Sequence, residues 1–341
     1  MAITSDLSLD ASRFHPDNID EATKKINTFI TEITTNGPKW YNVGVVRYRE
    51  MRETGETPLP VPVYLPGAID AAIPSREQGR MIPIRVYKPD NGQPSKGIYL
   101  YFHGGGFVLG THKHNDGLLQ AHANKFQLTA ISVGYRLAPE HPYPAATDDS
   151  IDAAEYLVDH GPQEYGCPLR FISGSSAGGT LAAVSVLQLM RSRPSHQLSG
   201  VVFVFGYFDL TLGLPKASTF TKPLIINHAE LERFNGAYLP DMSSAERRHP
   251  GVSPLYEDLQ ALAADSPKGL PPALFICGTE DPLLDDTVLM GSKWAIAGAE
   301  SVVKIYPGAA HGFVVVPGLP VADEANAVMF QFVQEKLDSG L

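Results

Sequence analysis

Apolar positions change their period several times along this chain, and each change marks an element. From Ile19 to Ile33, the residues Ile19, Ala22, Ile26, Phe29, Ile30 and Ile33 fall three or four apart, predicting an amphipathic helix that Gly37-Pro38 ends. A second helix is predicted over about 41–52, and the Pro-rich TPLPVPVYLPG after it reads as a linker. The period then drops to two in RMIPIRVYKP. Next, KGIYLYFHG is apolar almost without interruption, the pattern of a strand buried on both faces. Strand-like and helix-like runs alternate from there: LTAISVGY, a helix near 146–160, LRFIS, a helix from about 177, GVVFVFGYF, PALFICG, a helix near 288–297, SVVKIYPG, and a last helix over about 323–337.

This alternation predicts an α/β fold, a mostly parallel central sheet flanked by helices on both faces. One stretch, 211–252, breaks the rhythm with scattered prolines and a short helical pattern around 229–239. Together with the N-terminal helices it is expected to form a mainly helical cap. The expected organisation is therefore 1–55 as the N-terminal part of the cap, 56–210 as core, 211–252 as cap insertion, and 253–341 as the remaining core.

Composition narrows the partners. The 341 residues are 43% hydrophobic and 19% charged, so a sizeable core can be buried. A formal charge of −10 and the lack of any Lys/Arg cluster exclude a nucleic-acid binder. Cys167 and Cys277 are too few for a disulfide framework or a four-thiolate zinc site and are expected to be buried thiols. The N-terminal residues show no basic-then-apolar leader, and no run of about 18 apolar residues occurs, so the expectation is a cytoplasmic protein without a membrane span.

Candidate chemistry concentrates in loops that follow strands, where open α/β sheets bind ligands. In FISGSSAGG only one frame, Gly174-Ser175-Ser176-Ala177-Gly178, satisfies G-x-S-x-G, so Ser176 is the candidate nucleophile on a strand-to-helix turn. Chance yields this motif in about one chain in ten of this length, given ordinary Gly and Ser usage. The strand before it and the helix after it add weight. A phosphate loop is excluded, because Thr180 stands where a Walker lysine belongs and Ser176 where a dinucleotide fingerprint needs glycine.

Three more loops matter. FHGGGFVLG places Gly104, Gly105 and Gly106 after a strand, where unobstructed N–H groups can meet an oxyanion; His103 before them reads as structural. FICGTEDPLLDD offers a carboxylate to orient an imidazole, but Glu280, Asp281, Asp285 and Asp286 compete for that role. YPGAAHGF puts His311 after the last strand, completing the chain order Ser, acid, His. Of the other histidines, His15, His160, His196 and His249 lie in polar segments and are expected at the surface. His112 and His114 lack a third ligand, so no metal is expected.

Taken together, HGGGF at 103–107, YRLAPEHPYPAA at 135–146, GSSAGG at 174–179, SPLY at 253–256, DPLLDD at 281–286 and HGF at 311–313 resemble the hormone-sensitive-lipase-like carboxylesterases of the α/β-hydrolase fold. The resemblance covers roughly Gly79 to the C-terminus and implies Ser176 as nucleophile, Asp281 as acid and His311 as base. It implies an oxyanion hole from the N–H groups of Gly105, Gly106 and Ala177, with Gly104 shaping the loop, and a buttressing or turn role for Glu140. Ser175 departs from the family's usual Asp or Thr at that position.

The implied activity is hydrolysis of short- to medium-chain acyl esters through an acyl-enzyme, without cofactor or metal. An amidase, formamidase or lactonase would use the same residues. A non-catalytic, receptor-like binder is disfavoured because His311 is present. The expected partner is a small-molecule ester, with self-association into a homodimer left open. Phe14, Trp40, Tyr41, Phe208, Phe220, Ile225 and Phe234 are candidates to line the cap.

Overall fold

The computed structural model describes residues 8–339. Its strands are β1 Ile69–Pro74, β2 Met81–Tyr87, β3 Ile98–Phe102, β4 Thr129–Val133, β5 Leu169–Ser175, β6 Gly200–Val204, β7 Ala273–Glu280 and β8 Ser301–Ala310. They form one sheet in the order β1-β2-β4-β3-β5-β6-β7-β8, antiparallel at β1/β2 and β2/β4 and parallel elsewhere. Reversal of strand order around β3 leaves a crevice at the carboxyl ends of the strands, the usual place for a ligand in such a sheet.

The helices are α1 Glu21–Asn36, α2 Trp40–Val43, α3 Val45–Thr54, α4 Asp116–Phe126, α5 Ala145–Glu164, α6 Ala177–Ser192, α7 Pro215–Thr219, α8 His228–Tyr238, α9 Leu259–Asp265, α10 Leu284–Ile296 and α11 Pro320–Asp338. Helices α5, α6 and α10 cover one face of the sheet, and α4 and α11 cover the other. Strands β3, β4 and β6 are consequently buried at every position, which is why their sequences run apolar without alternating.

Two elements escape a reading by period. β1 is exposed at every position but Ile73, which reaches the core; its pairing with β2, from Ile69 opposite Val86 to Pro74 opposite Met81, and the ion pair of Asp70 with Arg85 at 2.8 Å hold it in place. α4 buries Leu119, Ala123 and Phe126, but Asp116 and His122 share that buried face and blur the pattern.

The N-terminal helices and the 211–252 stretch meet above the crevice. The Trp40 ring stacks on Phe234 at 5.2 Å between centroids, the Arg233 guanidinium lies 3.9 Å from the Tyr41 ring centre, and Tyr41 donates to Glu230. Arg49 of α3 ties this layer to the core, donating to the carbonyls of Val108 and Ala138 and pairing with Glu140 at 2.8 Å. Among the described residues no helix is long and apolar enough to cross a membrane.

Candidate active site

Ser176 sits between the end of β5 and the first residue of α6, at φ 54° and ψ −122°. A non-glycine residue holds such a conformation at a cost of roughly 1–3 kcal/mol, and only where its surroundings leave no alternative. The surroundings are very close: a Cβ on Gly174 would lie 2.0 Å from the Gly178 carbonyl oxygen, and one on Gly178 would lie 2.0 Å from that of Phe102. Glycine at both places lets strand, turn and helix approach closely enough to push the serine hydroxyl out of the chain.

His311, in the turn after β8, faces that hydroxyl, with Nε2 2.9 Å from Ser176 Oγ. Its Nδ1 lies 2.8 Å from Asp281 Oδ2, and the Leu283 N–H donates to Asp281 Oδ1 at 2.8 Å. Asp281 is fully buried, so the carboxylate is fixed from both oxygens away from water. Phe205, at φ 40°, sets its ring 4.5 Å from the imidazole and limits how far it can turn.

The competing acids have other partners. Glu280 pairs with Lys222 at 2.6 Å, Asp285 accepts the Lys216 N–H, and Asp286 Oδ1 accepts the N–H groups of Phe208 and Asp209 at 2.7 Å each. Asp286 is completely buried. Desolvation, followed by the nearby charges of Asp209 and Asp281, pushes its carboxyl well above the ordinary range despite the two N–H donors. A raised folded-state pKa favours the protonated form on folding, so this contribution is complete below the ordinary carboxylate range and lost as pH climbs through the raised value. Asp286→Asn keeps an accepting oxygen without the charge. Its thermal midpoint is expected to exceed that of the parent by a margin that widens from pH 5 to pH 9 in parallel melts; a margin constant with pH would contradict the buried acid.

The glycine loop after β3 closes the other side. Gly105 has φ 126°, and a Cβ there would lie 2.1 Å from the Leu109 carbonyl oxygen, so the turn that Val108 and Leu109 N–H close onto the Gly105 carbonyl admits no side chain. The Gly105 and Gly106 N–H groups have no acceptor among the described residues, and Ala177 N–H, in the first turn of α6, lacks an intrahelical one. His103 anchors this loop: its Nδ1 donates to the Gly104 carbonyl at 2.8 Å, its ring stacks on Tyr135 at 4.2 Å, and Tyr135 OH donates to the His103 carbonyl. Burial pushes the His103 imidazole down to about 3, keeping it neutral.

Glu140 stands apart from the serine and histidine, bound to Arg49. Ser175 Oγ is 2.9 Å from Tyr101 OH, whereas His311 bonds Ser176. Of the aromatic and aliphatic candidates for the cap, Trp40, Ile225 and Phe234 line the cleft above Ser176, whereas Phe208 is fully buried against Phe203 and Phe275 in the core. Tyr41 is occupied by Arg233 and Glu230, and Phe220 belongs to a small cluster with Ile30, Leu224 and Ala310. His196 is half-buried rather than exposed, its Nε2 2.9 Å from the Leu169 carbonyl oxygen. His114 meets Glu53, and no cluster of His, Cys, Asp or Glu suited to a metal occurs among the described residues. Sequence reasoning passed over Arg49, Phe205 and Tyr101, whose roles depend on neighbours distant in the chain.

A mostly parallel eight-stranded sheet with a serine on a strained strand-to-helix turn and a histidine after its last strand defines an α/β-hydrolase fold. The model of that fold family matches residues 99–315, more than half of the chain. The chain belongs to the α/β-hydrolase family, in its hormone-sensitive-lipase-like branch. It is 34% identical over 239 residues to carboxylesterase NlhH of Mycobacterium tuberculosis H37Rv, covering 68% of this chain and 71% of that protein. To esterase LipI of the same organism it is 34% identical over 253 residues, covering 72% and 75%. The solved ester-hydrolase EH1AB1 from the metagenome of Lake Arreo, complexed with a bipyridine phosphonate derivative, matches with TM-score 0.75 and 28% identity over 92% of this chain and 98% of that one.

Proposed function

We propose that this protein is a serine carboxylesterase acting on small-molecule acyl esters, with Ser176 as nucleophile, His311 as base and Asp281 as the acid that orients it. The observation that carries the reading is the unbroken hydrogen-bonded line from Ser176 Oγ through the imidazole to Asp281, facing the free N–H groups of the glycine loop. The names of the two mycobacterial relatives, a carboxylesterase and an esterase, support it.

In this mechanism Asp281 keeps the His311 proton on Nδ1, leaving the Nε2 lone pair to accept the Ser176 proton as Oγ bonds the ester carbonyl carbon. The carbonyl oxygen becomes an oxyanion held by Gly105, Gly106 and Ala177 N–H. Nε2–H then protonates the leaving alcohol as its C–O bond breaks. Water repeats the sequence on the acyl-enzyme, giving its proton to Nε2, and Ser176 recovers a proton as the acid departs.

The helices of 1–55 and the 211–252 insertion serve as a two-part cap over this site, held down by Arg49. Beneath them the cleft measures about 1670 Å³, above the ~300–1,000 Å³ common for small-ligand sites, so acyl groups longer than acetyl are accommodated. The direct test is covalent: a fluorophosphonate should stop p-nitrophenyl butyrate turnover with one equivalent per chain, and the adduct mass should map to Ser176. Inactivation with the label elsewhere, or turnover that survives labelling, would overturn the assignment.

A further inference from the structure

One short segment, Val204 to Tyr207 at and just beyond the end of β6, touches both the nucleophile and its base. The Val204 carbonyl accepts the Ser176 N–H at 3.0 Å, and the Tyr207 N–H donates to the Ser176 carbonyl at 3.2 Å. Thr180 Oγ1, in the first turn of α6, donates to the Tyr207 carbonyl. Between these anchors stands Phe205, whose ring centre lies 4.5 Å from that of His311 with 55° between the planes. The serine backbone and the imidazole therefore rest on neighbouring residues of one hydrogen-bonded turn.

The backbone is bent to put the ring there. Along β6, Val202 and Val204 pack on the α4/α11 side of the sheet, and Phe203 packs with Trp294 on the other. Strand alternation would send Phe205 the way of Phe203. At φ 40° it leaves the alternation and joins Val204, on the side where Ala309 and Phe313, either side of His311 in the chain, also pack. A bulky side chain at positive φ is an outlier that persists only where its surroundings enforce it, and such outliers gather at functional sites. Here the Phe205 N–H is bonded to the Ile276 carbonyl of β7 at 2.6 Å. The ring is backed by Phe313 at 6.3 Å, which packs in turn on Tyr306 at 5.3 Å. Glycine adopts that backbone freely, so what phenylalanine adds is the ring.

The ring meets a need that the two hydrogen bonds of His311 leave open. They fix Nδ1 on Asp281 and Nε2 on Ser176. The second bond is broken and remade in each half-reaction, because Oγ turns to the acyl carbon and Nε2 must serve the leaving alcohol and then water. In those intervals the Asp281 bond alone lets the imidazole pivot about the line from Nδ1 to Oδ2. An aromatic ring against it opposes the pivot without competing for either nitrogen, since phenylalanine carries no hydrogen-bonding side-chain group.

Resting on the proposed esterase reading, we propose that Phe205 is a positioning residue whose ring holds the His311 imidazole in line between Asp281 and Ser176 through the catalytic cycle. Phe205→Leu, which keeps apolar volume without a flat face, and Phe205→Tyr, which keeps the face, test it. In the Leu variant kcat on p-nitrophenyl butyrate is expected to fall about 10- to 100-fold with KM within about threefold, the effect of a small misplacement. The Tyr variant is expected to keep kcat within about threefold of the parent. Phe205 also lines the cleft, so a loss carried by KM with kcat intact would make it a wall of the cleft and overturn the role. A second readout needs no substrate. The His311 Nδ1–H, bonded to Asp281, is expected as a downfield proton NMR signal in the parent and the Tyr variant, and to broaden beyond detection in the Leu variant as the freed imidazole exchanges with water. A Leu variant that keeps either kcat or the signal, or equal kcat losses in Leu and Tyr, overturns the role. A parent without ester turnover, in which the signal still follows the ring at position 205, defeats the esterase reading and leaves the positioning of His311 standing.

Discussion

Ser176→Ala will lower kcat on p-nitrophenyl butyrate by about 10⁵- to 10⁶-fold while the thermal midpoint stays close to that of the parent. The activity loss follows from chemistry: without Oγ no bond forms to the acyl carbon, and what remains is binding and oxyanion stabilisation acting on water. Retention of the fold follows from geometry. Alanine inherits the same backbone at φ 54°, neither better nor worse suited to it than serine, and among the described residues the hydroxyl's only partner is His311. Ser175→Ala is the informative companion. Among the described residues its hydroxyl meets only Tyr101, so a loss below about tenfold is expected, within the range of one hydrogen bond. If Ser175→Ala proved the more damaging change, the choice of frame in the G-x-S-x-G motif would be wrong.

That choice was legible in the sequence because it rests on a local steric rule. The contacts that forbid side chains at 174 and 178 are made by backbone within a few residues of the turn and by the end of β3, and only glycine satisfies them. The alternation of central strands and helices was legible for a similar reason: burial on both faces demands unbroken apolar runs. The acid was not settled by residue type, since Glu280, Asp281, Asp285 and Asp286 share one loop and one chemistry. They are separated by what lies opposite each of them, namely Lys222, His311, the Lys216 N–H, and the N–H pair of Phe208 and Asp209. β1 was missed because an exposed edge strand need not alternate, and α4 because Asp116 and His122 interrupt the apolar positions of its buried face.

Asp281→Asn tests the proposed acid and is expected to lower kcat about 10⁴-fold with the fold intact. The size of the effect depends on a hydrogen-bond direction, not on lost charge alone. Leu283 N–H donates to Oδ1 at 2.8 Å, so an asparagine must keep its carbonyl oxygen there and turn its NH₂ toward His311 Nδ1. Two donors cannot face each other at that distance. The imidazole must then carry its proton on Nε2, where it points at Ser176 Oγ and cannot accept the serine proton. Glu280→Gln, which removes only the partner of Lys222 at the rim, is the neighbour to compare, and its kcat is expected within about threefold of the parent, as for a surface ion pair. Equal losses in the two variants would show that the loop responds to any lost carboxylate; a loss confined to Asp281→Asn, with an unchanged thermal midpoint, ties the rate to the tautomer that this carboxylate imposes.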